Sequence, residues 1–94
     1  MRLEYDFQKS ERNRIERSLP FDRAVDFDWE RAFYYQDTRY FYPEKRIIAR
    51  SYLDGRLHIL CFTPVKDGVR IISFRKANSR EAKQHEKNIK TMDK

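Results

Sequence analysis

The dipeptide Asp54-Gly55, which lies between two apolar runs, constrains the fold of this chain more than any other feature of the sequence. A two-residue hairpin turn needs positive φ at both central positions, and Asp-Gly is among the pairs that adopt this conformation most readily. The flanking runs, residues 46–53 and 56–63, are slightly longer than an average strand. The sequence therefore predicts an antiparallel hairpin in the middle of the chain.

Two further runs extend this hairpin into a sheet. Residues 31–36 are rich in aromatic side chains and are followed by a loop over residues 37–45, which contains Pro43. A turn over residues 64–68 leads from the hairpin to another apolar run, residues 69–74. Short strands joined by turn signals indicate a meander, so we predict four antiparallel strands.

Helix signals flank the predicted sheet. Asp6 is a suitable N-cap for a helix that continues to about Ile15, and the Ser-Leu-Pro sequence at 18–20 ends it. Pro20 suits the first position of a second short helix. Asn78 and Glu81 have the spacing of a capping box at the start of a C-terminal helix.

The predicted C-terminal helix has a narrow apolar stripe, formed by Ala82, His85, Ile89 and Met92. So thin a stripe predicts loose docking, and we expect His85 at the helix surface. Together these elements predict an α+β fold with two N-terminal helices, a four-stranded antiparallel sheet and a C-terminal helix. We expect one domain over residues 1–94, in which residues 87–94 form a helical or frayed tail.

Charge is spread unevenly along the 94 residues. The chain carries 21 Lys and Arg against 15 Asp and Glu, and residues 46–94 hold 12 of these cations but only five of the acids. Such asymmetry indicates a surface that faces a polyanion. A well-solvated, lysine-rich C-terminal helix is the alternative explanation.

The single cysteine and the lack of a long apolar stretch bear on the compartment. Cys61 cannot form an internal disulfide, and no segment has the roughly 20 apolar residues that span a bilayer. The N-terminus has no signal-peptide pattern. We therefore expect a cytoplasmic protein without a membrane partner, with Cys61 as a small core residue.

The segment from residue 69 to residue 81 resembles the end of the BrnT toxins. That family ends in a strand Arg-(Ile/Val)-Ile-Ser-x-Arg, followed by Lys-Ala and a helix that begins with Arg-Glu. The matching residues here are Arg70, Ile71, Ile72, Ser73, Arg75, Lys76, Ala77, Asn78 and Glu81. The segments Tyr42–Arg46, Leu53–Arg56 and Phe62–Thr63 are also similar to the family, in the same order.

The resemblance implies a RelE-like fold and a metal-independent ribonuclease that arrests growth by cutting RNA. It also implies a BrnA-like antitoxin with a ribbon-helix-helix domain. The toxin would then meet operator DNA only within the antitoxin complex, which represses its own operon. No cofactor is implied.

The chain departs from the family pattern at two places. Glu16, Arg17 and Ser18 stand where the family commonly has Lys, His and Gly, and Arg50 stands where the family has glycine. A role for the family histidine is therefore not carried over, although Arg17 remains a candidate for RNA binding.

Metal-free RNA cleavage needs cations that are aimed at the charge that develops on the phosphate. Arginine suits this role because its planar fork holds two phosphate oxygens at once. We predict a phosphate site formed by Arg46, Arg75, Lys76 and Arg80. Arg70 lies five residues before Arg75, on the opposite face of one strand by simple alternation, so we expect Arg70 to be structural.

Proton transfer has several candidates. Glu44 could accept a proton, and Tyr42 or His58 could also take part. An ion pair with Arg46 explains Glu44 equally well, and a core position explains His58 better. The His, Cys and carboxylate spacing predicts no metal site.

Aromatic side chains are dense between residues 33 and 42. Exposed rings stack RNA bases without sequence specificity, at about 1–3 kcal/mol per base. Tyr40 and Tyr42 are the candidates for stacking, whereas we assign Phe33, Phe62 and Phe74 to the core.

Two other functions are compatible with the sequence. A basic, aromatic-rich chain could bind RNA without cutting it. It could also act mainly as a co-repressor with its antitoxin, through an acidic docking surface made of Asp22, Asp26, Asp28 and Glu30, although a solvated face explains these acids equally well.

Overall fold

The computed structural model describes residues 1–92, and their side chains as far as residue 90. In chain order the elements are β1 (Arg2–Glu4), α1 (Phe7–Arg17), a 3-10 helix (Phe21–Asp26), β2 (Phe33–Gln36), β3 (Ile47–Leu53), β4 (Arg56–Val65), β5 (Gly68–Lys76) and α2 (Ser79–Met92). The five strands form one mixed sheet in the order β1-β5-β4-β3-β2. Only β1 and β5 pair in parallel.

The central hairpin is confirmed. Leu53 pairs with Arg56 across the turn, and the turn residues Asp54 and Gly55 have φ of 53° and 75°. Such positive φ values at both positions are what a two-residue hairpin turn requires. The register of β3 and β4 therefore follows from a local signal.

The prediction of a four-stranded antiparallel sheet is wrong by one strand. The four predicted strands exist, but β1 adds a fifth, with Leu3 beside Val69. β1 lies so close to β5 that a Cβ atom at Gly68 would clash with the Arg2 carbonyl oxygen. A segment of three residues is too short to show a periodic pattern in the sequence. These residues form a strand because they pair with β5, which is distant in the chain.

The prediction of two N-terminal helices is also wrong. Asp6 caps α1 as predicted and accepts hydrogen bonds from the backbone N–H groups of Gln8 (2.8 Å) and Lys9 (3.2 Å). The segment after Pro20, however, is a 3-10 helix of six residues. Its three residues per turn align positions three apart, and Phe21, Ala24 and Phe27 are all at most 3% exposed.

The two faces of the sheet are packed differently. The core face, against which the 3-10 helix packs, holds the larger cluster of buried residues: Leu19, Phe21, Ala24, Phe27, Ala49, Leu53, Leu60, Phe62, Val69, Ile71 and Phe74. The open face holds a smaller cluster: Ile48, Leu57, Ile59, Cys61 and Ala77. The core positions predicted for Phe62, Phe74 and Cys61 are confirmed, whereas Phe33 is only half-buried.

The helix α2 lies on the open face through His85, which corrects our expectation of a surface position. His85 is 1% exposed, and its ring meets those of Phe33 and Tyr52 edge-on, with centroids 5.0 and 5.6 Å away. Burial lowers the pKa of His85. Of the predicted tail 87–94, residues up to Met92 belong to α2, and residues 93 and 94 lie outside the described part of the chain.

A bulge in β5 overturns the expected placement of Arg70 and Arg75 on opposite faces. Cys61 pairs with Ser73 and Phe62 pairs with Ile71, so Ile72 is an extra residue. An extra residue reverses the alternation beyond it. Arg70 and Arg75 pair with Thr63 and Ile59 of β4, which are four residues apart, and both arginines therefore belong to the open face.

Within residues 1–92, no helix combines the length and the apolar character needed to cross a membrane.

Candidate functional site

A cavity of about 560 Å³ opens on the open face of the sheet, beside α2. Its floor is apolar and comes from three strands. Its walls come from the loop after β2, from the end of β5 and from the first turn of α2. The polar lining includes Asp37, Arg39, Tyr42, Arg46, Arg75 and Glu81.

Arg75 reaches the cavity from β5 and is held by Glu81 of α2. Its Nη1 and Nη2 atoms donate to the two carboxylate oxygens of Glu81, each at 2.8 Å. Glu81 also accepts from the backbone N–H of Asn78, and its own N–H donates to the Asn78 side chain, so the capping box is confirmed. These charge-assisted bonds, led by those from Arg75, lower the pKa of Glu81 to about 2.

A buried carboxylate organises the opposite wall. The side chain of Asp37 is only 2% exposed and accepts hydrogen bonds from Nε and Nη2 of Arg39, both at 2.9 Å. The Tyr42 hydroxyl donates to the same carboxylate at 3.2 Å. The Arg39 guanidinium is the main reason that the pKa of Asp37 lies far below its usual range.

Tyr42 lies between this carboxylate and Arg46. The Arg46 guanidinium stacks over the Tyr42 ring, 4.1 Å from its centroid, which is a favourable cation–π geometry. Arg46 also donates from Nε to Glu44 at 3.3 Å. Burial and the hydrogen bond to Asp37 raise the pKa of Tyr42, so its hydroxyl keeps its proton at neutral pH.

The cavity carries an excess of positive charge. Within residues 1–92, three arginines (Arg39, Arg46 and Arg75) and two carboxylates (Asp37 and Glu81) line it. Each guanidinium is fixed by a carboxylate or a ring rather than left free to rotate. Cations that are held in place before a ligand arrives stabilise a negative ligand at little cost in reorganisation.

The structure brings only some of the predicted residues together. Arg46, Arg75 and Tyr42 line the cavity, while Glu44 and Tyr40 line an adjoining groove beside Tyr42. Arg80 is exposed in the first turn of α2 and does not line the cavity. Lys76 and Arg17 lie together on the core face, in a separate cleft.

His58 belongs to the core and does not line the cavity. It is 3% exposed, its Nδ1 lies 2.8 Å from the Arg56 carbonyl oxygen, and burial lowers its pKa. Cys61 contributes to the cavity floor, and burial raises the pKa of its thiol. Among residues 1–92, no three His, Cys, Asp or Glu side chains are grouped so that they could hold a metal ion.

The sequence reasoning missed Asp37, Arg39 and the contact of Glu81 with Arg75. The Asp37-Thr38-Arg39 spacing is compatible with a local side-chain turn, in which Asp37 accepts from the Arg39 backbone N–H at 3.2 Å. That signal is common in loops and does not reveal that the carboxylate is buried. Glu81 was identified as a capping residue, but its pairing with Arg75 depends on where α2 docks.

The fold and this cavity define a small, basic α+β protein with fixed guanidinium groups around a concave site on the open face of its sheet. A family model described as the ribonuclease toxin BrnT of type II toxin-antitoxin systems matches residues 5–81. The chain belongs to this family, as the sequence resemblance indicated. A comparison with curated proteins returns no match.

Proposed function

We propose that the cavity is the RNA-cleavage site of a metal-independent endoribonuclease toxin. The observation that carries the proposal is the convergence of Arg46 and Arg75, which are 29 residues apart in the chain, on one cavity that also contains Tyr42. Membership of a ribonuclease toxin family supports the reaction. The fixed guanidinium groups support the route without a metal, because they supply positive charge at the phosphate.

In this route the 2′-hydroxyl of the RNA attacks the adjacent phosphorus, and the bond to the 5′-oxygen breaks. The 2′-hydroxyl loses its proton to a base, the leaving 5′-oxygen gains one from an acid, and a 2′,3′-cyclic phosphate remains. Arg46 and Arg75 would stabilise the phosphorane that forms between these two steps. Preorganised cations of this kind usually make the largest contribution to such a reaction.

Tyr42 and Glu44 are the proton-transfer residues in the proposal. Tyr42 is protonated at neutral pH and donates to Asp37 in the free protein, so it would act as the acid by turning its hydroxyl to the leaving oxygen. Glu44 would accept the 2′-proton, after exchanging its contact with Arg46 for one with the substrate. A positioned acid or base contributes about 10²–10⁴-fold to the rate.

The remaining predicted residues would bind RNA around this centre. Tyr40 is 71% exposed and its ring meets that of Tyr42 at 5.9 Å, so it presents a stacking surface beside the cavity. Arg80 would contact the strand where it passes the start of α2. Lys76 and Arg17 would act away from the reacting phosphate.

We also propose the biological setting of this activity. The protein would be one RelE-like domain over residues 1–94 that acts in the cytoplasm and arrests growth by cutting RNA. A BrnA-like antitoxin with a ribbon-helix-helix domain would neutralise it, and the complex would repress its own operon. Membership of a type II toxin-antitoxin family supports an antitoxin partner.

Purified protein incubated with naked RNA, with and without a chelator, tests the proposal. We expect cleavage that survives the chelator and leaves 2′,3′-cyclic phosphate ends. Arg75→Ala and Arg46→Ala should each lower the rate about 10²–10³-fold, the usual effect of removing one preorganised donor. Lys66→Ala, in the turn between β4 and β5 and outside the cavity, is the matched control and should cleave like the wild type.

Three outcomes would contradict the proposal. Cleavage abolished by the chelator would exclude the metal-independent route. Salt-sensitive RNA binding with no cleavage would favour a non-catalytic RNA-binding module. Growth arrest that persists in a folded Arg75→Ala variant with no RNA cleavage would place the toxic function elsewhere.

A further inference from the structure

A second concave site lies on the core face, at the end of the sheet nearest the central hairpin turn. It is a cleft of about 260 Å³ formed where α1 ends, where the β3–β4 turn projects and where β5 ends. Its cationic lining residues are Arg17, Arg23, Arg56 and Lys76. The proposed reaction uses none of these residues, and the proposed function gives Arg17 and Lys76 only a general role in RNA binding.

The charges in this cleft are less neutralised than those of the cavity. Asp54 is the one acidic residue among the described residues that line the cleft, and Arg23 already pairs with it at 2.9 Å. Among the described residues, no carboxylate lies within ion-pair distance of Arg17, Arg56 or Lys76. By contrast, Arg46 and Arg75 in the cavity each have a carboxylate partner.

Local structure places these three cations side by side. Arg17 is the last residue of α1 and donates from Nη1 to the Asn13 side chain at 2.9 Å. Lys76 pairs with His58 in the sheet, and Arg56 opens β4 directly after the hairpin turn. His58 itself adds no positive charge near neutral pH, because burial lowers its pKa.

The cleft and the cavity share adjacent residues of β5 in their linings, although they lie on opposite faces of the sheet. Arg75 lines the cavity and Lys76 lines the cleft, and the Cα atoms of consecutive residues are about 3.8 Å apart. A nucleic-acid strand, which carries phosphates at regular intervals, contacts both the cavity and the cleft if it crosses the end of β5. A small anion would occupy only one of them.

We propose that the cleft of Arg17, Arg56 and Lys76 is a second phosphate-binding subsite, which holds the RNA backbone next to the phosphate that is cleaved. This inference rests on the proposed function, since it assigns the same substrate to a second surface. A flexible single strand fits the arrangement better than a duplex, because the two sites face opposite sides of the sheet. Contacts from lysine and arginine to phosphate carry no sequence information, so the cleft binds the sugar-phosphate backbone without regard to base identity.

Binding of a 2′-O-methyl RNA tests the inference independently of cleavage, because this RNA lacks the attacking hydroxyl. The variant Arg56→Ala/Lys76→Ala should bind a ten-nucleotide strand more weakly than the wild type. Each phosphate contact on a single strand contributes about 0.7 to the slope of log K against log salt concentration. The double variant should therefore lower that slope by about 1.4.

The matched control removes the same net charge elsewhere. Lys66→Ala/Lys83→Ala changes two exposed lysines that line neither the cavity nor the cleft, and it should bind with nearly the wild-type slope. An equal loss in both double variants would overturn the proposal, because net charge alone would explain it. Unchanged RNA binding by Arg56→Ala/Lys76→Ala would also overturn it, and a weakened antitoxin complex in that variant would assign the cleft to the protein partner.

This test separates the inference from the function on which it rests. A protein that does not cleave RNA at all contradicts the proposed function, whatever its binding slope. A protein that cleaves RNA without metal but binds equally well after loss of Arg56 and Lys76 contradicts only the subsite.

Discussion

The core face of the sheet is closed by apolar packing, whereas the open face carries the candidate site. Two neighbouring residues of β5 show this difference. Phe74 points into the core face, where it is 1% exposed and meets Phe27 edge-on, with ring centroids 5.9 Å apart. Arg75, the next residue, belongs to the open face and is tied to Glu81. Apolar side chains fill the core face, whereas the open face has a cavity that is lined by paired charges. Because successive residues of a strand face opposite sides of the sheet, the main source of stability and the candidate site lie one residue apart in this small protein.

Truncation on the core face should have the largest effect on stability. Phe74→Ala should lower the free energy of unfolding by about 3–5 kcal/mol, because it removes apolar contacts and leaves a void. Arg75→Ala is the matched change on the open face and should cost about 1 kcal/mol, since solvent reaches its side chain and screens the lost ion pair. Denaturant unfolding of both variants measures the difference. Equal losses of stability in the two variants would contradict this difference between the faces.

A polar residue of the core face should come next. Asn13 is buried and donates from Nδ2 to the carbonyl oxygens of Leu19 (2.7 Å) and Phe74 (2.8 Å), so it joins α1 to β5. Asn13→Ala should lower the free energy of unfolding by about 1–3 kcal/mol, because both acceptors lose their donor. Asn88→Ala, which removes an amide from α2, is the control and should cost much less. Thermal unfolding of the two variants would show whether the link between α1 and β5 has this importance.

The ion pair on the open face should have a smaller, pH-dependent effect. The pKa of Glu81 is lowered from 4.5 to about 2 in the folded protein. A lowered carboxylate pKa contributes stability above the unfolded value, and that contribution is lost as the pH falls from about 4.5 towards 2. Glu81→Gln should therefore cost about 1 kcal/mol at pH 7, because the pair is partly screened by solvent, and this cost should shrink as the pH falls towards 2.

Unfolding curves from pH 2 to pH 7 for both proteins measure this dependence. A constant difference across that range would show that the charge of Glu81 does not matter and that only its shape does.

The sequence predicted those parts of the fold that depend on near neighbours in the chain. Asp6 caps α1, Asp54-Gly55 forms the hairpin, and Asn78 and Glu81 form the capping box, each through contacts within a few residues. The predictions failed where the deciding partner is distant. His85 is buried because the rings of Phe33 and Tyr52 pack against it. The sequence of α2 does not indicate these two partners, which lie in β2 and β3.

The candidate site was predictable in its residue types but only partly in its geometry. Arginine was the expected phosphate ligand, and Arg46 and Arg75 do line one cavity. Lys76 was expected in the same phosphate site as Arg75. It lies on the core face instead, because successive residues of a strand face opposite sides of the sheet. The buried carboxylate of Asp37 was missed because burial of a loop residue depends on the elements that surround the loop.

By itself, the sequence determined the chemistry available to this protein: its caps, its turn, its excess of cations and its membership of a toxin family. Only the tertiary structure decided which cations share a site, because strand pairing sets the face of each side chain. One extra residue in β5, for example, places Arg70 and Arg75 on the same face of the sheet. The physical reason is the difference in range. Capping and turn formation are decided over a few residues, whereas a side chain's face and burial depend on strand pairing between segments far apart in the chain.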